Sequence, residues 1–281
     1  MATERGRHDP RALTGTRAMR IPDRLTQTLL AWALAVAGPA PALHAQTDTY
    51  PAIDGEIRIT PFAGAGVQLE YRGLVVHVDP WSRGDYDAAF PADLILITDT
   101  PADHLDPELI RRLRTPRTVV VVPADPGTAR DAGGAERLRA VEGAMVMQND
   151  ETMALDLGGD GSTDVSVDAV AMYDIIPGEP FHARGEGNGY VVTLGGVRIY
   201  LAGVTECTPE MQAVRNVDVA FVPMNLPNGR MPPLVAADCV RTIGPRVVYP
   251  YHYREMPIDD FVDALRGSAI EVRVRDWYPP A

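Results

Sequence analysis

The sequence predicts an α/β fold, a four-layer αβ/βα sandwich in which two mixed β-sheets face each other and helices cover their outer surfaces. Continuous apolar runs such as 93–98 are typical of buried strands. Alternating segments on either side of Arg72-Gly73 and Gly195-Gly196 are typical of hairpins. In each half of the chain, hairpins precede strand–helix–strand units, and two facing sheets with outer helices bury such a pattern well.

Individual elements follow from the same patterns. Strands are predicted at 57–60, 66–71, 74–78, 93–98, 118–122, 152–157, 164–171, 189–194, 197–202, 217–222, 246–251 and 270–274. Helices are predicted at 107–113, 136–141, 209–214, 232–243 and 258–265. The helix at 107 has the clearest start, because proline occupies its first turn with acidic residues nearby.

The first 45 residues differ from the rest, so we divide the chain into a secretory signal region (1–45) and one domain (46–281). Within 26–42 lies an apolar run of about a dozen residues, too short to span a bilayer. Arginines precede this run and the small residue Ala45 follows it, as in a secretory signal. A start at Met19 would give that signal an ordinary length. We expect a periplasmic or secreted protein without stable membrane insertion after signal removal; an uncleaved anchor is the alternative.

Composition narrows the classes of chemistry and partner. All 26 basic residues are arginine, which excludes Schiff-base lysine chemistry. Residues 46–281 carry 20 arginines against 35 acidic residues, a net charge of −15. Such a surface repels phosphate backbones, so we expect a small-molecule substrate and no nucleic acid. No pattern in the sequence favours a particular oligomeric state.

The two cysteines, Cys207 and Cys239, have neither a CxxC nor a zinc-finger spacing. An oxidising compartment would allow them to pair if their geometry permits. Two unpaired, half-buried thiols are nevertheless the expectation.

The segment 95–107, ILITDTPADHLDP, holds the residues best suited to chemistry. Asp99, Asp103 and His104 lie just beyond the carboxyl end of a predicted buried strand, where α/β folds place their sites. Carboxylate and imidazole groups at this spacing suit zinc or a similar divalent ion. Taken alone, the pair Asp103-His104 is a weak signal, because a helix cap followed by a surface histidine has the same letters.

Companion segments in a fixed order make the pattern specific. They are ITPFAGAGVQLEYRGLVVHVDPW (59–81), GNGYVVTLGGVRIYLAGVTECTPEM (187–211), DVAFVPMNLP (218–227) and RVVYPYHYRE (246–255). With these segments the chain resembles the metallo-β-lactamase superfamily, and within it the branch that resembles ascorbate-6-phosphate lactonase. The resemblance covers nearly all of the chain after the leader and implies the four-layer sandwich of that superfamily.

The resemblance implies metal ligands, some of which this chain retains. Asp103, His104 and His252 match the three ligands of the second metal of the superfamily. Asp99 stands where the first histidine is expected, and a carboxylate can still ligate a metal there. His182 is the counterpart of the isolated histidine, so that Asp99 and His182 are the remaining candidates for the first metal.

Two positions of the superfamily motif are lost. Pro101 occupies the position of the second histidine, and Val204 occupies that of the aspartate shared by both ions. Two histidines and one carboxylate still make a reasonable four-coordinate site with water. The sequence therefore predicts one zinc-like ion, with Mn²⁺ as an alternative, rather than two.

The candidate catalytic residues are Asp99 and Asp103. A bound ion lowers the pKa of its water, and Asp99 is placed to accept a proton from that water. Asp79, in the VDPW turn, resembles a position that orients metal ligands. Arg184 and Arg254 are candidates to clamp an acidic substrate, with solvated surface as the alternative.

Two functions remain open at this point. The first is an exported metallo-hydrolase that uses one ion to open an ester, lactone or phosphoester bond. The alternative is a non-catalytic member that binds a ligand or partner in the old cleft and holds no metal. Pro101 and Val204 favour this alternative, and the retained set Asp103, His104 and His252 favours the hydrolase.

Overall fold

The computed structural model describes residues 46–124, 133–175, 182–224 and 231–278, which belong to one compact unit. The predicted secretory signal, residues 1–45, lies outside the described residues and stays a prediction. None of the helices in the described ranges has the length and apolar character needed to cross a membrane.

The described residues form two seven-stranded sheets and five helices. The first sheet contains β1 (Asp48–Ala52), β2 (Gly55–Pro61), β3 (Val67–Tyr71), β4 (Leu74–Val78), β5 (Ala92–Leu96), β6 (Arg114–Pro123) and β7 (Met145–Met147), with α1 (Pro107–Leu113) and α2 (Gly134–Ala140) between its strands. The second contains β8 (Thr152–Leu155), β9 (Val165–Met172), β10 (Gly187–Leu194), β11 (Val197–Leu201), β12 (Val219–Pro223), β13 (Val247–Tyr251) and β14 (Glu271–Val272), with α3 (Pro209–Ala213), α4 (Pro233–Ile243) and α5 (Ile258–Leu265).

Both sheets have the same topology. Their strands are ordered as in the sequence, β1 to β7 in the first sheet and β14 to β8 in the second. In the first sheet, neighbouring strands from β1 to β4 pair antiparallel, and neighbouring strands from β4 to β7 pair parallel. In the second sheet, neighbouring strands from β8 to β11 pair antiparallel, and those from β11 to β14 pair parallel. The predicted sandwich of two mixed sheets is therefore confirmed, and the parallel strands of each sheet end at one edge.

Three apolar clusters separate the layers. One fills the space between the two sheets, a second packs α1 and part of α2 against the first sheet, and a third packs α3 to α5 against the second sheet. The run 94–97, at the end of β5 and just beyond it, is apolar throughout because both of its faces are buried. Leu94 and Leu96 point into the inter-sheet cluster, whereas Ile95 and Ile97 point into the cluster under α1. Strands buried on both faces read as continuous apolar runs.

An aromatic group closes the inter-sheet cluster near the carboxyl ends of β12 and β13. Phe221 stacks on Tyr249 at 4.7 Å between ring centroids. Trp277, fully buried, meets Phe221 edge-on at 6.1 Å and Tyr251 at 5.7 Å. The backbone oxygen of Trp277 also accepts a hydrogen bond from the N–H of Gly64 at 2.9 Å. The C-terminal segment thereby ties the two sheets together.

The expectation of two unpaired thiols is wrong. Cys207 and Cys239 form a disulfide across a Cα–Cα distance of 5.9 Å. The bond connects the loop that follows β11 to α4, two segments that lie 32 residues apart in the sequence. Sequence spacing did not reveal this pair, because the contact depends on how α4 folds back over the second sheet.

We predict that the double substitution Cys207→Ser/Cys239→Ser lowers the free energy of unfolding by about 3–4 kcal/mol, because the closed loop no longer restricts the unfolded chain. Urea unfolding of the wild type and the double variant measures this difference. Dithiothreitol should destabilise the wild type and leave the double variant unchanged. Equal stability of the two proteins under oxidising conditions would contradict the prediction.

Candidate metal centre

Three of the predicted ligands meet between the two sheets. Asp103 and His104 lie in the loop between β5 and α1, and His252 directly follows β13. One ligand atom from each residue lies within 4.8 Å of the others. Both loops extend from carboxyl ends of parallel strands, so the topology of each sheet places its loop at this cleft.

Local hydrogen bonds shape the loop that carries Asp103 and His104. The backbone oxygen of Pro101 accepts from the N–H groups of His104 at 2.9 Å and Leu105 at 2.8 Å, which folds the chain into a tight turn. Asp106 then caps α1 by accepting from the N–H of Leu109 at 3.1 Å. Pro101, which cannot ligate a metal, here starts the turn that turns His104 inward.

Asp79 orients His104 from behind. Its Oδ2 accepts from Nδ1 of His104 at 2.8 Å, and the exposed fractions of the two side chains are 0% and 2%. Thr98 donates to the same carboxylate twice, from its N–H at 2.7 Å and from its hydroxyl at 2.5 Å. Because Nδ1 of His104 is engaged with Asp79, Nε2 is the nitrogen available to a metal.

The charges in the cluster support one another. Burial alone would lower the pKa of His104, but the charge and hydrogen bond of Asp79 outweigh burial and raise this pKa to about 9. Burial alone would raise the pKa of Asp103, but its interaction with the neighbouring His252 ring and the charge of His104 hold it well below its usual range. Asp103 is therefore ionised and suited to bind a cation.

His252 gives the clearest sign that the cluster fits a metal ion. Both of its ring nitrogens are buried without a hydrogen-bond partner among the described residues. Nε2 lies 3.6 Å from Oδ2 of Asp103, beyond hydrogen-bonding distance, and burial lowers the pKa of the ring. A buried polar group without a partner costs about 1–3 kcal/mol. A divalent ion between Asp103, His104 and His252 would remove this cost, and the residues present thus fit such an ion.

The other two predicted ligands lie against each other. Nε2 of His182 is 3.1 Å from Oδ2 of Asp99, and Nδ1 of the same ring is 3.3 Å from Oδ1 of Asp174. Burial alone would lower the pKa of His182, but its hydrogen bonds to Asp174 and Asp99 raise it to about 10. Neither Asp99 nor His182 belongs to the three-residue cluster of ligand atoms. Their role as metal ligands stays a prediction.

No carboxylate occupies the position of the shared aspartate. Val204 is buried and packs in the apolar cluster between the second sheet and α3 to α5. Its N–H points at the sulfur of Met172 at 2.9 Å. The carboxylate two residues further on, Glu206, accepts from the N–H of Ile175 at 2.8 Å and so holds the end of the β9 loop. Among the described residues, the ligand cluster contains one carboxylate.

Some contributing residues escaped the sequence analysis. Thr98 had a weak signal, since it is the polar residue that ends an apolar strand. Asp174, which contacts the backbone N–H and Nδ1 of His182, had none, because it stands in no recognisable motif.

The remaining candidates also have defined places. Arg184 pairs with Glu210 of α3 at 2.7 Å. His77 contacts the backbone oxygen of Phe90 at 2.9 Å from inside β4, in keeping with a strand-packing residue. Arg254 lies at the cluster, where its Nη2 donates to Asp103 at 3.3 Å.

Comparison with known families shows the superfamily to which the chain belongs. The family model described as the β-lactamase superfamily domain matches residues 58–252, more than half of the chain. The chain belongs to this superfamily. The match begins in β2 and ends at His252, so it includes every residue of the cluster.

Similar proteins support this membership. A crystal structure from Parabacteroides distasonis, whose name assigns it to the metal-dependent hydrolases, is 32% identical, covers 83% of this chain and 100% of its own, and superposes with a TM-score of 0.71. A metal-dependent hydrolase from Polynucleobacter asymbioticus is 28% identical in an alignment 261 residues long, and this alignment covers 83% of this chain and 86% of that protein. A metallo hydrolase from Ignicoccus hospitalis shares the fold at 20% identity, with a TM-score of 0.57. The superposition covers 78% of our chain and 94% of the Ignicoccus chain.

We predict that Asp79→Asn weakens zinc binding about 10- to 100-fold, because a neutral amide has one acceptor oxygen where the carboxylate has two and lacks the charge that holds the Nδ1 proton of His104. Competition with a chromogenic chelator measures the affinity. Asp87→Asn, at a side chain that is 95% exposed, is the matched control and should bind zinc like the wild type. Unchanged affinity in Asp79→Asn would show that the contact does not orient the ligand.

The metal-free protein should lose stability as the pH rises through the alkaline range. The folded-state pKa values of His104 and His182 are raised to about 9 and about 10, so their contributions are complete below the unfolded value and are lost as pH passes the folded values. Above neutral pH each group contributes at most ~1.4 kcal/mol per pH unit. Urea unfolding in chelator should show a slope that His182→Gln reduces by about half; an unchanged slope would contradict the protonated state of His182.

Proposed function

We propose that the protein is an exported hydrolase in which Asp103, His104 and His252 hold one divalent ion that activates water to open an ester, lactone or phosphoester bond. The coarser statement is that the chain is a metal-dependent hydrolase of the β-lactamase superfamily. Its similarity to the named hydrolases supports that statement. The observation that carries the finer proposal is the cluster itself, in which a buried histidine has two ring nitrogens without partners.

A single ion agrees with the residues around the cluster. Val204 removes the carboxylate that would bridge two ions, and its side chain is committed to the apolar core. Asp99 and His182 form an ion pair with each other where a first metal would need them as ligands. Two nitrogens, one oxygen and a water complete a four-coordinate site.

The ligand set favours zinc as the resident ion. Imidazole suits several transition metals and carboxylate suits harder ions, and zinc accepts both at tetrahedral sites. Mn²⁺ is the second candidate, since it also binds mixed sets of nitrogen and oxygen ligands.

The chain's own residues supply orientation and proton transfer. A bound ion lowers the pKa of its water and polarises a substrate oxygen. Asp79 keeps the Nδ1 proton of His104 in place, so that Nε2 stays directed into the cleft. Asp99, whose Oδ2 is held at 3.1 Å from Nε2 of His182, is the residue we assign as proton acceptor. Asp103 stays ionised and serves as ligand.

Export is supported by two independent features. The leader has the order of charge, apolar run and small residue that a secretory signal requires. The disulfide between Cys207 and Cys239 is of a kind that persists in oxidising compartments and is rare in the cytosol. We therefore place the working protein in the periplasm or outside the cell.

A second candidate function is kept because of the two lost motif positions. A member that holds no metal and binds a small ligand in the same cleft would explain both Pro101 and Val204. Metal content separates this candidate from the hydrolase.

We predict about one zinc ion per chain after loading and removal of excess metal, and a loss of most of it in His104→Ala and His252→Ala, because each substitution removes one of three protein ligands. Elemental analysis of purified protein measures the content. His182→Gln is the matched control, a buried histidine at the same cleft whose substitution should leave the ion in place.

Activity is then measured on a panel of lactones, carboxylic esters and phosphoesters. The loaded wild type should hydrolyse at least one class, and Asp99→Asn should lower kcat by about 100-fold or more while zinc content is unchanged. A folded wild type that takes up neither zinc nor manganese would overturn the hydrolase and favour the ligand-binding candidate.

A further inference from the structure

The loop that follows β13 places an arginine at the edge of the ligand cluster. Arg254, two residues beyond His252, donates from Nη2 to Oδ2 of Asp103 at 3.3 Å, while 55% of its side chain is exposed. Both residues have left-handed backbone conformations, with φ of 48° at His252 and 47° at Arg254. Such values are uncommon for residues with a Cβ. The loop therefore directs both side chains toward Asp103 instead of continuing the strand.

One oxygen of Asp103 lies between two groups. Its Oδ2 is 3.3 Å from the guanidinium of Arg254 and 3.6 Å from Nε2 of His252. With an ion in the cluster, Asp103 would serve as one of its ligands, and its attraction for Arg254 would be weaker. A guanidinium has five donors in a planar fork that matches carboxylate and phosphate oxygens. Most of the donors of Arg254 are then available at the open side of the cleft.

The surroundings of Arg254 suit an anion. The phenol oxygen of Tyr278 interacts with the guanidinium of Arg254, and its hydroxyl is a further group able to hydrogen-bond an anion there. Arg184, the other arginine considered for this role, is held by Glu210 at 2.7 Å and by the ring of Tyr173 at 5.8 Å. Arg254 is thus an exposed arginine paired with a candidate metal ligand, in a chain whose net charge of −12 offers anions few other attractive sites.

We propose that Arg254 binds an oxyanion of the substrate, a phosphate or carboxylate group next to the bond that is cleaved. This inference rests on the proposed function and narrows its substrates to anionic esters, lactones and phosphoesters. In the metal-free protein Asp103 competes with the anion for Arg254. Metal ion and anion therefore favour each other's binding, since both gain when Asp103 and Arg254 separate.

The first test uses metal-free protein and inorganic phosphate, followed by calorimetry. Asp103→Asn removes the competing charge, so it should bind phosphate about 10-fold more tightly than the wild type. Adding Arg254→Gln to Asp103→Asn should abolish this gain. Adding Arg184→Gln instead, a matched substitution at an arginine already held by Glu210, should preserve it.

The second test uses zinc-loaded protein. Arg254→Gln should keep its zinc by elemental analysis, bind phosphate or acetate about 10-fold more weakly, and lose at least 10-fold in kcat/KM on an anionic ester with little change on its neutral analogue. Arg254→Lys should restore only part of the loss, because an ammonium cannot form the two parallel bonds of a guanidinium. The titration also distinguishes the anion, since the group that Arg254 recognises is the one whose affinity falls.

The outcomes separate this inference from the function on which it rests. A wild type without bound metal or hydrolysis overturns the proposed function, while the metal-free phosphate test still decides the role of Arg254. If zinc binds but Arg254→Gln changes neither phosphate nor acetate affinity, the oxyanion role is overturned and the hydrolase stands. An equal loss on anionic and neutral substrates also overturns it.

Discussion

The carboxylate of Asp79 is buried completely and is held by three hydrogen bonds, two from Thr98 and one from His104. A buried carboxylate is unfavourable unless donors surround it, and these donors come from the end of β5 and the loop beyond it. Asp79 itself has a left-handed backbone with φ of 45°. Its loop conformation, the end of β5 and the orientation of the His104 ring therefore depend on one another.

The second sheet meets this arrangement through His252. Its ring stacks on that of His104 with centroids 5.2 Å apart, so the ring that Asp79 orients also defines the surface on which His252 rests. The charge of each of these residues also depends on the charge of its neighbour. Asp79 favours a proton on His104, and His104 and His252 in turn hold Asp103 ionised. A cation in the cluster would replace that proton as the balancing charge.

Most strands could be predicted from the sequence, because inward and outward residues alternate in hairpins and continuous apolar runs mark strands covered on both faces. Two short elements could not. β1 contains Pro51 and lies at the edge of its sheet, and β7 has three residues, so neither has a period long enough to detect. The disulfide also escaped prediction, since the distance between Cys207 and Cys239 is set by helix packing rather than by spacing.

Some residues of the candidate site could likewise be predicted from the sequence, and others could not. The adjacent pair Asp103 and His104 could be found from local spacing, and His252 from its place after a strand. Asp174 lies 8 positions from His182 and has no motif around it. Arg254 is a candidate on sequence grounds, but its contact with Asp103, 151 positions away, could not be predicted. Such partners follow from the alignment of the two sheets and leave no periodic trace in the sequence.

The stacking of His104 on His252 also affects how the protein tolerates amino-acid substitutions far from the ligands. Each ring lies in a loop that follows a strand of a different sheet, and the rings of Phe221, Tyr251 and Trp277 pack in the cluster between those sheets. Interiors are close-packed, so a change of one methylene there moves the sheets relative to each other rather than vanishing into free space. A substitution in the buried residues of this layer therefore also alters the geometry of the candidate ligands, even where the ligands themselves are unchanged.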